Sequence, residues 1–293
     1  MADQKMVYMR YRIFIVLLAF ASTMYSQEFM RVFSMNNSPE PIVQNIVRYN
    51  ADAKSKERIY INNDLCSYMV VRKGARYYNA FPGENLVESR PVQSQASEGN
   101  FSKTEYSYYR GIFPKNDPAN GYYALPLAVG DSILIEPHAI HARNSERTEN
   151  YLSFSIQNND TVYAMRGGVA CLVGDNKGVV ISHIDETFAV YFHMRSALVQ
   201  PGDAVEVGQP VGLVASGKVY VGFVYLDEKY FKQKELAVEY PYTHFVPQLW
   251  DGEQFFQPGE MAKSIVVPTL TTDLITQDMT KAQKKRYLKA KSK

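Results

Sequence analysis

The stretch from Asp160 to Asp227 limits most strongly what this chain can fold into. Its short segments either alternate apolar and polar residues or are rich in β-branched residues, which is typical of β-strands. Residues that favour turns close the segments, and these are Gly167-Gly168, Gly174-Asp175-Asn176, Asp185-Glu186, Pro201-Gly202-Asp203, Gly208-Gln209-Pro210 and Ser216-Gly217-Lys218. The pattern predicts roughly five or more short strands in one compact all-β unit.

Several phrases of this stretch occur in a fixed order. They are Val162-Tyr163-Ala164 with Gly167-Gly168-Val169, then Val180-Ile181-Ser182-His183, then Val190-Tyr191-Phe192-His193-Met194, and finally the run from Val199 to Gly212. In this order the stretch resembles the zinc peptidoglycan endopeptidases of the lysostaphin and LytM type, whose fold is the duplicated hybrid motif. The last phrase alone also resembles lipoyl and biotinyl carrier domains, so the ordered set carries the resemblance.

The resemblance implies where a catalytic zinc ion would be held. Family members bind zinc through a histidine and an aspartate four residues apart and through the second histidine of a later His-x-His pair. The first histidine of that pair, and the histidine of a Tyr-x-His-Leu phrase, serve catalysis. These positions fall on Glu149, Ser153, Gly222, Tyr220 and His193, respectively. We call these five residues the relic groove.

The residues of the relic groove do not suit a zinc enzyme. Catalytic zinc needs about three protein ligands and an open position. Ser153 is a poor zinc ligand and Gly222 has no side chain, so only His193 matches the catalytic pattern. We therefore expect no intact catalytic set, no bound metal and no enzymatic activity, although function taken from fold alone is an analogy. The sequence leaves open whether the groove is open or filled by Tyr220 and its neighbours.

The N-terminus resembles a secretory signal peptide. Arg10 and Arg12 precede the apolar run from Ile13 to Ala21, which is too short to span a bilayer. The preferred cleavage point is Ser26/Gln27, so we expect residues 1–26 to be removed and no transmembrane helix to remain. The alternative is that the apolar run is a short buried core segment.

Three further regions follow the predicted signal peptide. Residues 27–112 contain strand-like segments between turns and predict a smaller β-sandwich-like domain, for which an immunoglobulin-like fold is one option. Residues 113–250 form the predicted lysostaphin-type β domain. Residues 251–293 form a C-terminal extension, in which a basic helix is predicted from Asp278 to Lys291 with Asp278 or Thr280 as its N-cap.

The two cysteines, Cys66 and Cys171, lie in different predicted domains, each in a strand-like context. Export would permit a disulfide between them. Two buried thiols are nevertheless the interpretation that the sequence favours, because two cysteines make no disulfide framework.

Other catalytic chemistry finds little support among the five histidines and the remaining motifs. His138 and His141 are three apart in a predicted strand, so they face opposite sides and cannot chelate together. His183 and His193 flank a predicted hairpin turn at an offset of about 17 Å, which is too far for one metal ion. The sequence contains no Gly-x-Ser-x-Gly phrase and no glycine-rich phosphate loop.

These observations together predict an exported protein of the bacterial periplasm or cell envelope. A net charge of +2 gives no field that would attract nucleic acid. We expect a non-catalytic, peptidase-like protein that binds peptidoglycan or an envelope protein through the relic groove. The alternatives are an active endopeptidase that uses zinc to cut peptidoglycan cross-links, and a purely structural envelope module. The basic end, with seven Lys or Arg in residues 281–293, is read as a solvated terminus rather than a contact for an anionic surface.

Overall fold

A computed structural model describes residues 28–30, 32–33, 42–72, 76–92, 106–118, 121–141, 148–156, 161–174, 178–232, 240–259, 263–267 and 269–291. The predicted signal peptide and its cleavage point lie outside these residues. The described strands are β1 (Val43–Asn50), β2 (Ser55–Asn62), β3 (Tyr68–Arg72), β4 (Arg76–Ala80), β5 (Gly83–Pro91), β6 (Tyr106–Arg110), β7 (Tyr122–Tyr123), β8 (Ser132–His141), β9 (Thr148–Ile156), β10 (Thr161–Tyr163), β11 (Gly168–Gly174), β12 (Gly178–Ser182), β13 (Thr187–Phe192), β14 (Met194–Ala197), β15 (Ala204–Val205), β16 (Pro210–Val214), β17 (Lys218–Leu226), β18 (Tyr242–His244), β19 (Gln248–Trp250), β20 (Phe255–Phe256) and β21 (Lys263–Val266). Helices α1 (Lys229–Lys232), α2 (Thr272–Thr276) and α3 (Lys281–Lys291) lie in the C-terminal half, and residues 28–30 and 32–33 are also helical.

A nine-stranded sheet organises the fold. Its strand order is β15-β11-β12-β13-β17-β9-β8-β21, and β18 pairs with β17 beside this path. Side chains alternate between the two faces of each strand, and on one face residues such as Phe154, Val219 and Val221 are fully buried. They belong to a hydrophobic cluster shared with the three-stranded sheet β10-β16-β14. The all-β prediction for this part of the chain is confirmed.

The N-terminal part of the chain forms two small antiparallel sheets. The first has the order β1-β2-β5 and the second the order β4-β3-β6. The ring of Tyr60, on the first sheet, meets the rings of Tyr78 and Tyr106, on the second, at centroid distances of 5.8 and 5.9 Å. This packing confirms a small sandwich-like β unit ahead of the larger domain.

Part of the opposite face of the nine-stranded sheet, on β12, β13 and β17, is also buried. Phe188, Val190 and Tyr220 on that face belong to one buried cluster with Val43 and Tyr60 of the N-terminal sheets. The relic groove lies on this covered face, because Tyr220 and Gly222 of β17 point away from the cluster that contains Val219 and Val221.

The preference for two free thiols is wrong. Cys66, just before β3, and Cys171, in β11, form a disulfide that closes a sequence separation of 105 residues. The pairing of β11 with β12 shifts register between Ala170 and Leu172, so Cys171 occupies the bulged position. No local sequence pattern predicts that the N-terminal unit approaches this bulge.

The C-terminal segment is held to the large domain by a buried arginine. Arg166 donates to both carboxylate oxygens of Asp278, at 2.9 and 2.6 Å, and to Asp185 at 2.7 Å. Two residues later Thr280 and Gln283 form a capping box at the start of α3, since each side chain bonds the other's backbone N–H. The predicted basic helix is therefore present, with Thr280 as its cap. Within the described residues, no helix is long and apolar enough to cross a bilayer.

Candidate functional site

Four of the five relic groove residues lie close together, on β9, just after β13 and on β17. In the antiparallel pairing of β9 with β17, Ser153 lies opposite Tyr220 and Tyr151 lies opposite Gly222. His193 follows directly after β13, and its ring centroid lies 5.6 Å from that of Tyr220 in an edge-to-face arrangement. Ser153, Tyr220, Gly222 and His193 thus meet on one sheet face.

Glu149 does not join the other four residues in a common site. It lies four residues before Ser153 in the same strand, which places the two about 13 Å apart along β9. Its carboxylate is fully buried and accepts a hydrogen bond from the Tyr151 hydroxyl. Glu149 and Ser153 therefore cannot ligate one ion together.

Ser153 stands where the resemblance places a metal ligand, and its hydroxyl takes part in a hydrogen-bond network. The Ser153 hydroxyl lies 2.8 Å from Nε2 of His138 and 3.4 Å from a Glu136 carboxylate oxygen. Lys218 donates to the same Glu136 oxygen at 2.6 Å. The sequence reasoning missed the roles of His138 and Glu136, because only the pairing of β8 with β9 brings Glu136 opposite Ser153.

The pKa values of this network favour an ionised Glu136 and a neutral His138. The hydrogen bond from Lys218 holds the pKa of Glu136 below its ordinary value. Burial lowers the pKa of His138, although the Glu136 carboxylate opposes that change. A neutral histidine bonded to a serine could in principle act as a base. Ser153 is 0% exposed, however, so no substrate reaches its hydroxyl and the pair is structural.

An aromatic side chain covers the position of Gly222. A Cβ atom added at Gly222 would lie 2.6 Å from the ring of Phe29 and 3.1 Å from the ring of Tyr151. The Phe29 ring packs against Tyr151 at 5.2 Å, His244 at 5.1 Å and Phe192 at 5.8 Å between centroids. The groove is therefore filled by a residue far away in sequence, and Tyr220 forms part of its wall.

The filled groove does not fit a zinc ion. Gly222 offers no ligand, the Ser153 hydroxyl is bonded to His138, and aromatic rings occupy the space above Gly222. In the part of the chain that the structure describes, no three His, Cys, Asp or Glu side chains come close enough to hold a metal ion. The chemistry of a catalytic zinc site consequently cannot be assigned to these residues.

His193 lies at the rim of the filled groove. Its backbone has a φ of 63°, a left-handed conformation that is uncommon for a residue with a side chain. Nε2 lies 3.1 Å from the Ser216 hydroxyl, and Nδ1 lies 3.4 Å from a carboxylate oxygen of Glu28. The one residue that matches the catalytic pattern is thus engaged by the same N-terminal segment that carries Phe29.

The other histidines lie in separate places. His138 and His141 both lie in β8, and the side chain of His141 is outside the described part. His244 bonds the Tyr240 hydroxyl at 2.8 Å and the Asn150 carbonyl at 3.3 Å. His183 is buried, and its Nδ1 lies 2.8 Å from the Gly167 carbonyl oxygen.

Lowering the pH is expected to destabilise the fold through His183. Burial lowers its pKa from 6.5 to about 4, and the nearby Arg166 charge adds to that effect. The unfolded chain then binds this proton more readily, so stability present above pH 6.5 is lost as the pH falls towards about 4. Urea unfolding at a series of pH values should show a steeper loss in the wild type than in His183→Gln.

The wild type must be compared with His183→Gln because the pKa of the nearby Glu186 is shifted in the opposite direction. Burial raises the pKa of Glu186 to about 7, and the Asp185 charge raises it further. Glu186 is common to both proteins, so its contribution cancels in the difference. Parallel curves for wild type and His183→Gln would contradict the assignment to His183.

The fold and the groove together define a peptidase-like β domain with a degenerate zinc site. Residues 148–226 match the model of peptidase family M23. This match confirms the resemblance to the zinc peptidoglycan endopeptidases and the lysostaphin-like fold of the domain.

Two solved structures share a distant similarity with the chain. One is described as a novel M23 metalloprotease, pseudoalterin, from the deep sea, with 17% identity, 52% of this chain and 100% of that chain covered, and a TM-score of 0.33. The other is Csd3 of Helicobacter pylori, with 13% identity, 67% of this chain and 74% of that chain covered, and a TM-score of 0.28. A search of curated proteins gave no match.

Proposed function

We propose that this chain is an exported, catalytically silent member of the peptidase-like proteins of the bacterial envelope, and that it binds peptidoglycan or an envelope protein. The observation that carries the proposal is the packing of Phe29 on Gly222, where a zinc ligand would stand. Replacement of the second ligand position by Ser153, bonded to His138, supports it independently. The disulfide agrees with export, since disulfides persist in oxidising compartments.

Binding takes place on the outer surface of the protein rather than in the relic groove. The groove face is buried beneath Phe29 and the N-terminal sheets, so a glycan strand has no access to Ser153 or Gly222. The division into residues 27–112, 113–250 and 251–293 remains part of this proposal, as does the immunoglobulin-like option for the first unit.

A purely structural envelope module is the second candidate function. The cluster that joins Phe188 and Tyr220 to Val43, Tyr60 and Tyr68 favours it, because the former catalytic face serves as a packing surface for the N-terminal unit. In that case the partner contacts the N-terminal unit. Partner binding that survives deletion of residues 28–110 would argue against this version.

Metal content and cell-wall binding test the proposal directly. We expect protein expressed from Gln27, and purified without chelators or a histidine tag, to hold no stoichiometric zinc by mass spectrometry. The same protein should release no cross-linked peptides from peptidoglycan, and His193→Ala should behave identically. Retention on sedimented peptidoglycan would point to the wall, and its absence to an envelope protein. Stoichiometric zinc with hydrolysis that depends on His193 would establish the enzyme instead.

A further inference from the structure

The N-terminal residues 28–33, which we call the plug, place Phe29 over Gly222 in the relic groove and Phe33 in an aromatic site beside the groove. Residues 28–30 and 32–33 are helical, so Phe29 and Phe33, four apart, share one face. Their ring centroids lie 5.7 Å apart, and the side chains are 0% and 1% exposed. A single helical turn has little stability of its own, so the contacts with the groove hold this conformation.

Each phenylalanine of the plug has its own aromatic surroundings. Phe29 lies above Gly222 among Tyr151, Phe192 and His244. The Phe33 ring lies 5.5 Å from the Phe188 ring and 5.0 Å from the Tyr242 ring, measured between centroids. The Arg110 guanidinium lies 5.5 Å from the centroid of the same ring. Aromatic side chains in such fully desolvated surroundings contribute most of the affinity in peptide and protein recognition.

Two glycines of the sheet fit the plug closely. A Cβ at Gly222 would lie 2.6 Å from the Phe29 ring, and one at Gly178 would lie 2.5 Å from Cγ2 of Val32. Neither glycine is among the residues with positive φ, so backbone conformation does not require glycine at these places. Glycine weakens a strand, and close approach of another group is the reason for its presence there.

The rim of the groove adds a polar contact at the start of the plug. The Glu28 carboxylate lies 3.4 Å from Nδ1 of His193, whose other ring nitrogen lies 3.1 Å from the Ser216 hydroxyl. The relic groove and the adjoining face of the sheet therefore offer two aromatic sites, two glycines that admit the side chains of the plug, and a histidine beside the acidic end of the plug.

From these contacts we propose that the relic groove and the adjoining face of the sheet form a peptide-binding site for a helical Phe-x-x-x-Phe segment. The plug is the ligand that occupies this site within the chain. The inference rests on the proposed loss of catalysis, because an active enzyme would need the same groove for its substrate. The binding energy lies in side-chain contacts rather than in the covalent link to β1. A separate peptide with the plug sequence makes the same contacts.

A nicked protein tests the proposal. A site-specific protease sequence is placed within residues 34–41, and the purified, folded chain is cleaved there. We expect the plug fragment to stay bound through size-exclusion chromatography and to exchange with a labelled, N-acetylated peptide of residues 28–33. Peptides carrying Phe29→Ala or Phe33→Ala should bind about 100-fold more weakly or worse.

Variants of the cleaved chain without its plug fragment, which we call the host, supply the matched control. Gly222→Ala should weaken the binding of the peptide, because the Cβ of the alanine would overlap the Phe29 ring. Gly259→Ala should leave affinity unchanged, since a Cβ there meets no atom within 4 Å. If the cleaved host unfolds when the fragment leaves, recovery of its thermal transition on adding the peptide supports the proposal, and failure to recover overturns it.

Three other results would overturn the proposal. They are a fragment that departs while the thermal transition stays unchanged, equal binding of the parent and Phe29→Ala peptides, and equal affinity in the Gly222→Ala and Gly259→Ala hosts. Each readout is peptide affinity or stability, whereas zinc content and peptidoglycan assays on the intact chain test the proposed function. The two can therefore fail separately.

Discussion

Replacing Phe29 with alanine is expected to lower the free energy of unfolding by about 3–5 kcal/mol. The side chain is 0% exposed and packs on three aromatic rings, so its removal leaves a cavity lined by groups that cannot all close over it. Gly222 lies beneath that cavity and has no side chain with which to fill it. Urea unfolding at neutral pH, followed by tyrosine fluorescence and circular dichroism, would measure the loss.

Phe81→Ala is the matched control for this substitution. Phe81 is 48% exposed beside β4, so the same change of side chain should alter stability by no more than about 0.5 kcal/mol. Equal effects of the two substitutions would show that Phe29 is not packed in the groove. A large effect at Phe29 alone would establish that the N-terminal segment is part of the folded domain.

The fold of the large domain was predictable because its signal is local. Turn residues such as Gly202 and Gly208 have φ values of 95° and 77°, which glycine adopts at little cost, and they end strands where the sequence indicated. The ordered phrases around His183 and His193 then selected one arrangement among the all-β folds. Residues 148–226 carry the family match, which includes β9 as well as the predicted core.

The convergence of Ser153, Tyr220, Gly222 and His193 was expected from the family resemblance. No local pattern links Ser153 with His193, 40 residues later, or His193 with Tyr220, 27 residues later. What fills the groove was not predictable in the same way. Phe29 and Phe33 form one apolar pair in a segment shorter than two helical turns, which is too short for a periodicity signal. Their environment comes from β9, β13 and β18, elements that only the tertiary fold brings together.

His138 contributes to the candidate site through a hydrogen bond that the sequence alone did not predict. Its spacing from His141 argues against chelation by the pair, and both residues lie in β8. Its bond with Ser153 depends on the register of β8 with β9, which the sequence does not specify. Where family members have a zinc ligand, this chain therefore has Ser153, whose hydroxyl forms a hydrogen bond with His138.

Removing the disulfide is expected to cost about 2–5 kcal/mol of stability. The bond between Cys66 and Cys171 closes a separation of 105 residues, so in the chain-entropy account it removes much of the freedom of the unfolded state. Both cysteines lie in the buried cluster that joins the N-terminal sheets to the groove face. The double variant Cys66→Ala/Cys171→Ala should therefore show a lower urea midpoint than the wild type.

A reducing agent separates the disulfide from the packing of the two side chains. Adding dithiothreitol should lower the midpoint of the wild type, whereas the double alanine variant should give the same midpoint with and without reductant. Titration of the denatured, oxidised wild type should find no free thiol, since the chain contains only these two cysteines. Two free thiols, or equal responses to reductant in both proteins, would contradict the bond. Because the disulfide fixes β11 to the segment before β3, its loss should also loosen the N-terminal unit from the groove face and raise proteolytic cleavage between them.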